Sequence, residues 1–141
     1  MFTNNYCVTD EIRSQKISSI VSKISSIKEV RKFLVEEQRK IGESGGLVAE
    51  GRDIGTTVFP NAELKIFLTA RIDERAKRRK FDKQSKYSQE IDIDTLKELI
   101  KKRDFEDSNR EISPLIKAHD AIEIITDGYS INEVVLSLIH I

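Results

Sequence analysis

The sequence predicts an α/β fold, a parallel sheet with helices on both faces, and three observations carry that prediction. Apolar runs that suit strands alternate with longer segments of helical periodicity, in the order helix, helix, strand, loop, strand, helix, helix, strand, helix. The run Leu47-Val48-Ala49 shows no polar alternation, as a strand buried on both faces should. Directly after it, Glu50-Gly51-Arg52-Asp53 concentrates charge at the strand's carboxyl end, where ligands sit in open α/β sheets. A charged surface turn is the alternative reading of that loop. Three strands make a small sheet, and the first needs neighbours on both sides, so the sheet is expected to lack strands.

One domain is expected from 141 residues, a length sufficient for a core. Charged residues make up 34% and hydrophobic ones 38%, which suits a water-exposed chain. Lys plus Arg and Asp plus Glu number 24 each, and this balance argues against general nucleic-acid binding. Cys7 is the only cysteine, which excludes an internal disulfide framework and a cysteine-based zinc site and suits a reducing cytoplasm. With only His119 and His140, a histidine triad or multi-histidine metal site is not expected. No run approaches the roughly 18 apolar residues that span a bilayer, and the first residues lack the pattern of a signal peptide. The expectation is a cytoplasmic protein with no membrane and no nucleic-acid partner.

Each element has its own signal. Residues 1–10 are polar and predicted to be irregular. Ile17, Ile20, Val21 and Ile24 form a helical stripe within 11–25, weakened by the serines between them. Ser26-Ile27-Lys28-Glu29 has the form of a capping box that opens a second helix, with Val30, Phe33, Leu34 and Ile41 on its apolar side and its end near Gly42. Leu64, Ile66, Phe67 and Leu68 predict the second strand. Asp73 then starts a basic helix. Residues 71–86 hold eight Lys or Arg against three Asp or Glu, with so few apolar residues that the helix is predicted to stay out of the core. It is either a solvated charged face or an arm that meets phosphates.

A polar loop is expected over 85–94 and a helix over 95–110, its apolar positions Leu96, Leu99, Ile100 and Phe105. Arg103, Asp107 and Arg110 fall at i, i+4 and i+7 on one face. Two arginines flanking an aspartate suit a sugar hydroxyl or a phosphate, or a plain intrahelical ion pair. Ser113-Pro114 breaks the helix. Residues 121–125 predict the third strand, Asp127-Gly128 a turn, and Ser130-Ile131-Asn132-Glu133 a capping box. Val134, Val135, Leu138 and Ile139 are the expected buried stripe of a final helix.

Gly51-Arg52-Asp53-Ile54-Gly55-Thr56-Thr57-Val58-Phe59-Pro60, with Ala62 and Lys65-Ile66-Phe67-Leu68, closely resembles the core signature of bacterial cytidylate kinase. Further blocks resemble the family in the same order. They are Ile12-Arg13 with Ser22 and Val30-Arg31, Glu74-Arg75-Ala76 with Arg78-Arg79, and Arg103-Asp104 through Asp107 to Asn109-Arg110, then Pro114-Leu115. The resemblance runs from about Asp10 to the end of the sequence.

This resemblance implies a P-loop nucleoside monophosphate kinase fold and transfer of the γ-phosphoryl of ATP to CMP or dCMP, with Mg²⁺, giving CDP or dCDP. It implies that Ser22, Arg31 and Asp53 face the cytosine and that Arg13 and Arg52 lie near the acceptor phosphate. It places Arg103, Asp107 and Arg110 around the sugar and phosphate. Arg75, Arg78 and Arg79 would be lid arginines that meet the transferring phosphoryl. An arginine-rich site with no cysteine or histidine suits that chemistry, in which positioning and positive charge do most of the catalysis.

Two departures stand out. Glu50 occupies a position where the family usually has aspartate. No Gly-x-x-x-x-Gly-Lys-Ser/Thr occurs in the 141 residues, so the loop that cradles the ATP phosphates and holds Mg²⁺ is not among them. The resemblance therefore implies the C-terminal portion of such a kinase, incomplete at its N-terminus. Its parts would be an acceptor-binding region and following helix (1–44), core strands and loop (45–70), a lid-like basic segment (71–94), and core helices with the last strand (95–141). A complementing N-terminal fragment is the expected partner, and the chain alone is expected to be inactive. The alternatives are a non-catalytic module that binds pyrimidine nucleotides or a partner, and a basic RNA-binding module resting on 71–86.

Overall fold

The structure is a computed structural model that describes residues 2–9, 11–82 and 90–141. Its elements are strands β1 (Phe2–Thr3) and β2 (Tyr6–Cys7), a 3₁₀ turn (Glu11–Arg13), helices α1 (Gln15–Ser25) and α2 (Lys28–Gly42), and a π-helical turn (Ile54–Val58). Strand β3 (Ile66–Thr69), helices α3 (Ile72–Lys80) and α4 (Ile93–Asn109), strand β4 (Ile122–Ile125) and helix α5 (Ile131–Ile139) follow.

Strands β3 and β4 pair in parallel, with Ile66 opposite Ile122 and Thr69 opposite Ile125. The crossover that joins them carries α3 and α4, as a parallel connection requires. Thr126 locks the carboxyl end of the pair, its amide and hydroxyl both donating to the Thr69 carbonyl, at 2.8 and 3.1 Å. The core lies between α3 and α4, where Ala76, Leu96 and Ile100 are buried and Ile72, Ile91 and Ile93 pack around them.

The structure departs from the sequence reading in several places. Leu47-Val48-Ala49 pairs with no strand among the described residues, and Val48 is 98% exposed. An extended segment becomes a strand only where a neighbour offers its backbone, and β3 and β4 pair with each other instead. The irregular start is a hairpin, closed by Asn4 and Asn5 with φ of 47° and 64°. Positive φ at both central residues is the turn that matches strand twist, and asparagine tolerates it.

The basic helix does enter the core. Ala76 has no exposed surface, because a methyl side chain lets α4 approach closely. Ser26 does not open α2. Ile27 stands at the N-cap, and the Ser26 hydroxyl donates back to the Lys23 carbonyl at 2.8 Å, serving the end of α1. The expected stripes are also thinner. Leu99 and Phe105 are exposed, and α5 buries none of its residues fully.

Other expectations hold. Helix α2 ends at Gly42, and α5 begins with Ser130 and Glu133 capping each other reciprocally. The Asp127-Gly128 turn forms with Gly128 at φ 76°. Helix α4 starts at Ile93, two residues earlier than expected, because the Asp92 side chain accepts from the Thr95 amide. Half of the predicted loop, 85–89, lies outside the described residues, and its last two positions, Ile93 and Asp94, belong to α4.

Candidate functional site

A cleft of about 160 Å³ opens between α1, α2, the loop 50–53 and the C-terminal half of α4. Most of the residues that the sequence singles out meet here. Arg31 reaches it from α2, Glu50, Arg52 and Asp53 from the loop, and Arg103, Asp107 and Arg110 from the end of α4.

Helical spacing explains the third group. Arg103 and Asp107 lie one turn apart and Arg110 is the C-cap residue, so all three share a face. Asp107 is 3% exposed. Its carboxylate stands 3.7 Å from Arg103, 3.7 Å from Arg110 and 3.2 Å from Arg52. Arg110 is further held by donating Nε to the carbonyl of Ser113, whose φ of 53° turns the chain back after the helix.

The loop is fixed at its far end. Asp53 is 4% exposed and pairs with Arg31, itself 8% exposed, while Arg110 approaches within 4.0 Å. Because its carboxylate is used this way, Asp53 caps the π-helical turn only through its carbonyl, which accepts from the amides of Thr57 and Val58 at 2.8 and 3.3 Å. Arg52 donates to Asp104 at 3.1 Å, and Asp104 also takes both terminal nitrogens of Arg75 from α3. Asp104 thus joins the cleft loop to the basic helix.

Charge is unbalanced in this network. Five arginines (31, 52, 75, 103 and 110) face three aspartates (53, 104 and 107). Burial, then the nearby charge of Arg52, draws the Arg103 guanidinium below its ordinary range, and Arg79 adds to this. A hydrogen bond to Asp104 raises Arg75, against the opposing effect of burial. At Asp104 burial favours the neutral acid, but hydrogen bonds from Arg75 and Arg52 outweigh it and hold the carboxyl below its ordinary value. Arginine stays charged throughout. Arg31 Nε and Arg110 Nη2 are buried and make no hydrogen bond among the described residues. The cleft therefore offers donors and positive charge to an anion, and carboxylates to hydroxyl or amino groups.

Four other predicted residues lie apart or out of view. Arg78 points to the end of the sheet, donating to Glu74, to the Thr126 hydroxyl at 2.8 Å and to the Thr126 carbonyl. Arg79 lies on α3, where its charge is felt at Arg103. Arg13 ends the 3₁₀ turn and Ser22 lies on α1, but their side chains are outside the described ones.

Three residues escaped the sequence reading as site residues. Asp104 sits three positions before Asp107, a spacing that puts both carboxylates on neighbouring positions of one helix. Gln38 lines the cleft seven residues after Arg31, two turns along α2. Arg39 holds backbone carbonyls of the π-helical turn, and such a contact leaves no mark in sequence. A second groove between α3 and α4, more open and with a larger volume of about 630 Å³, holds Lys97 paired with Asp73 and Asp94, and none of the predicted site residues. No helix among the described residues is long and apolar enough to cross a membrane.

A sequence model described as "Cytidylate kinase" matches residues 1–141. The chain is 87% identical to the "Bifunctional pantoate ligase/cytidylate kinase" of Prochlorococcus marinus strain MIT 9215, over 100% of this chain and 28% of that protein. It is 75% identical to the protein of the same name from Prochlorococcus marinus subsp. pastoris, with the same coverage. The one from strain NATL1A is 53% identical, over 100% of this chain and 27% of that protein. The chain thus spans little more than a quarter of the length of the curated relatives it matches. Matched over all 141 residues, it belongs to the cytidylate kinase family.

Proposed function

We propose that the cleft binds CMP or dCMP, and that in the whole protein this nucleotide accepts the γ-phosphoryl of ATP, giving CDP or dCDP. The observation that carries the reading is the excess of guanidinium over carboxylate lining the cleft, Arg31, Arg52, Arg103 and Arg110 against Glu50, Asp53 and Asp107, which suits a phosphate dianion. Arg52, with Arg13, holds the acceptor phosphate. Arg103 and Arg110 share that charge, and Asp107 accepts from a sugar hydroxyl. Arg31, Asp53 and Ser22 read the cytosine, whose amino group donates and whose ring nitrogen and carbonyl accept. Glu50 stands at the exposed rim.

Arg75, Arg78 and Arg79 are the lid arginines of this reading. Arg75 already lies beside Arg52 through Asp104, whereas Arg78 must first leave Thr126. Catalysis then rests on placement and on charge aimed at the transferring group, with no protein nucleophile. The residues present do not fit Mg²⁺. Each cleft aspartate faces a guanidinium, and among the described residues no three metal-ligating side chains converge. The glycine-lysine pattern that cradles a triphosphate does not occur in the 141 residues either. The chain's own contribution is the acceptor half of the site.

Calorimetric titration of CMP into the 141-residue chain tests the proposal. Saturable binding of CMP, stronger than that of UMP or AMP, is expected. Equal affinity for all three, or no binding by a folded sample, overturns it. A coupled assay with ATP and Mg²⁺ is expected to show no turnover from the chain alone, and normal turnover refutes the acceptor-only role. A second reading, a non-catalytic module that binds nucleotide or a partner, is favoured by exposed apolar side chains such as Val48, Ile131 and Ile139. Adding a segment that carries the phosphate loop restores turnover under the first reading and not under the second.

A further inference from the structure

Helix α2 meets the Asp53–Phe59 segment at three points along one face. Arg31, Val35, Arg39 and Gly42 recur at helical spacing, and Arg31 and Val35 are buried. At one end Arg31 pairs with Asp53. At the other, the Phe59 ring lies so close to Gly42 that an added Cβ would stand 2.7 Å from it. Between them Arg39 donates Nε to the Val58 carbonyl at 2.9 Å and Nη2 to the Thr57 carbonyl at 2.7 Å.

Those two carbonyls are the ones a helical turn leaves without internal partners at its end. The Asp53 carbonyl is satisfied by the amides of Thr57 and Val58, and the Ile54 carbonyl by that of Phe59 at 2.7 Å. One planar guanidinium holding two successive carbonyls fixes both the distance and the orientation of the turn, which an ammonium cannot do. Arg39 does not line the cleft, so it can act there only through the turn that begins at Asp53.

We infer that Arg39 is a positioning residue of the acceptor site, holding the far end of the π-helical turn so that Asp53 and Arg52 keep their places in the cleft. The inference rests on the proposed reading of the cleft as an acceptor-nucleotide site. Two readouts on the 141-residue chain test it in R39A, R39K and the unmodified protein. They are amide hydrogen exchange at Thr57, Val58 and Phe59, and calorimetric affinity for CMP. In R39A those three amides are expected to exchange about tenfold faster, the scale of one or two lost hydrogen bonds, while α4 amides at Leu96 and Ile100 stay as they were. CMP affinity falls by a similar factor, about tenfold. R39K, keeping one bond, recovers part of both.

Unchanged exchange at the three amides overturns the inference, as does CMP affinity within about twofold of the unmodified protein when exchange is faster. If R39A fails to fold, R39K decides: equality with the unmodified protein in both readouts overturns the two-carbonyl grip. If the unmodified chain does not bind CMP, the acceptor reading fails, while the exchange measurement still shows whether Arg39 holds the turn.

Discussion

Arg52 and Arg75, one from the cleft loop and one from α3, share a single carboxylate, that of Asp104. The sharing ties the basic helix to the loop and makes the joint sensitive to acid. Asp104 is held below the ordinary aspartate value, so its contribution is present above the unfolded carboxyl value and is lost as pH falls through the lower folded one. Urea unfolding midpoints are expected to drop as pH is lowered below about 4, and D104N to flatten part of that drop. Since the group is about a quarter exposed, with a side-chain exposure of 27%, the effect belongs near the surface-pair scale of about 1 kcal/mol. An identical acid profile in D104N contradicts the role.

Arg52 is the residue whose loss should weigh most on the reaction. Besides Asp104 it lies 3.2 Å from Asp107, so its guanidinium is held in place before any substrate arrives. In the whole protein, R52A is expected to lower kcat by about 100- to 1,000-fold, the scale of one lost preorganised donor. Steady-state kinetics with CMP as the varied substrate reads this directly, and turnover near normal refutes it.

Arg31 and Asp53 form a pair in which both partners are buried. Removing one leaves the other charge uncompensated, and R31M or D53N is expected to destabilise the chain by about 3–5 kcal/mol. The double change R31M/D53N should cost less than the sum of the two. Denaturant unfolding of the four proteins gives the coupling, and strict additivity argues against a tight pair.

Gly42 is set by contact with Phe59. G42A places a methyl group 2.7 to 2.8 Å from the ring and is expected to cost about 1–3 kcal/mol, as overpacking does. Combining it with F59L, which removes the ring edge, should recover part of the loss. A G42A protein with the normal unfolding midpoint shows that the ring moves freely.

What the sequence made legible follows from locality. The Ser130 cap, the Gly42 stop and the Arg103–Asp107–Arg110 face depend on residues within two helical turns of one another, and each appears where periodicity and capping rules put it. Leu47-Val48-Ala49 was illegible for the opposite reason, because a strand is a property of two segments and composition reports on one. Ala76 entered the core against the polarity of its helix, since burial of one small side chain hardly alters a charged composition. Asp104 and Arg39 bind partners 18 or more positions away, and Arg39 binds backbone oxygens, which every residue carries.

The surplus of arginine has a thermodynamic consequence of its own. The four guanidiniums that line the cleft outnumber its carboxylates, and under the proposed reading a compact dianion is expected to relieve the repulsion between them. Linkage then makes the melting temperature a function of the buffer, because a solute that binds only the native form raises stability by RT ln(1 + [L]/Kd). Under the proposed reading, phosphate or sulfate in the sample is expected to act as a ligand at Arg52, Arg103 and Arg110, whereas chloride at equal ionic strength mainly screens. The melting temperature of this chain is accordingly expected to rise in phosphate or sulfate relative to chloride.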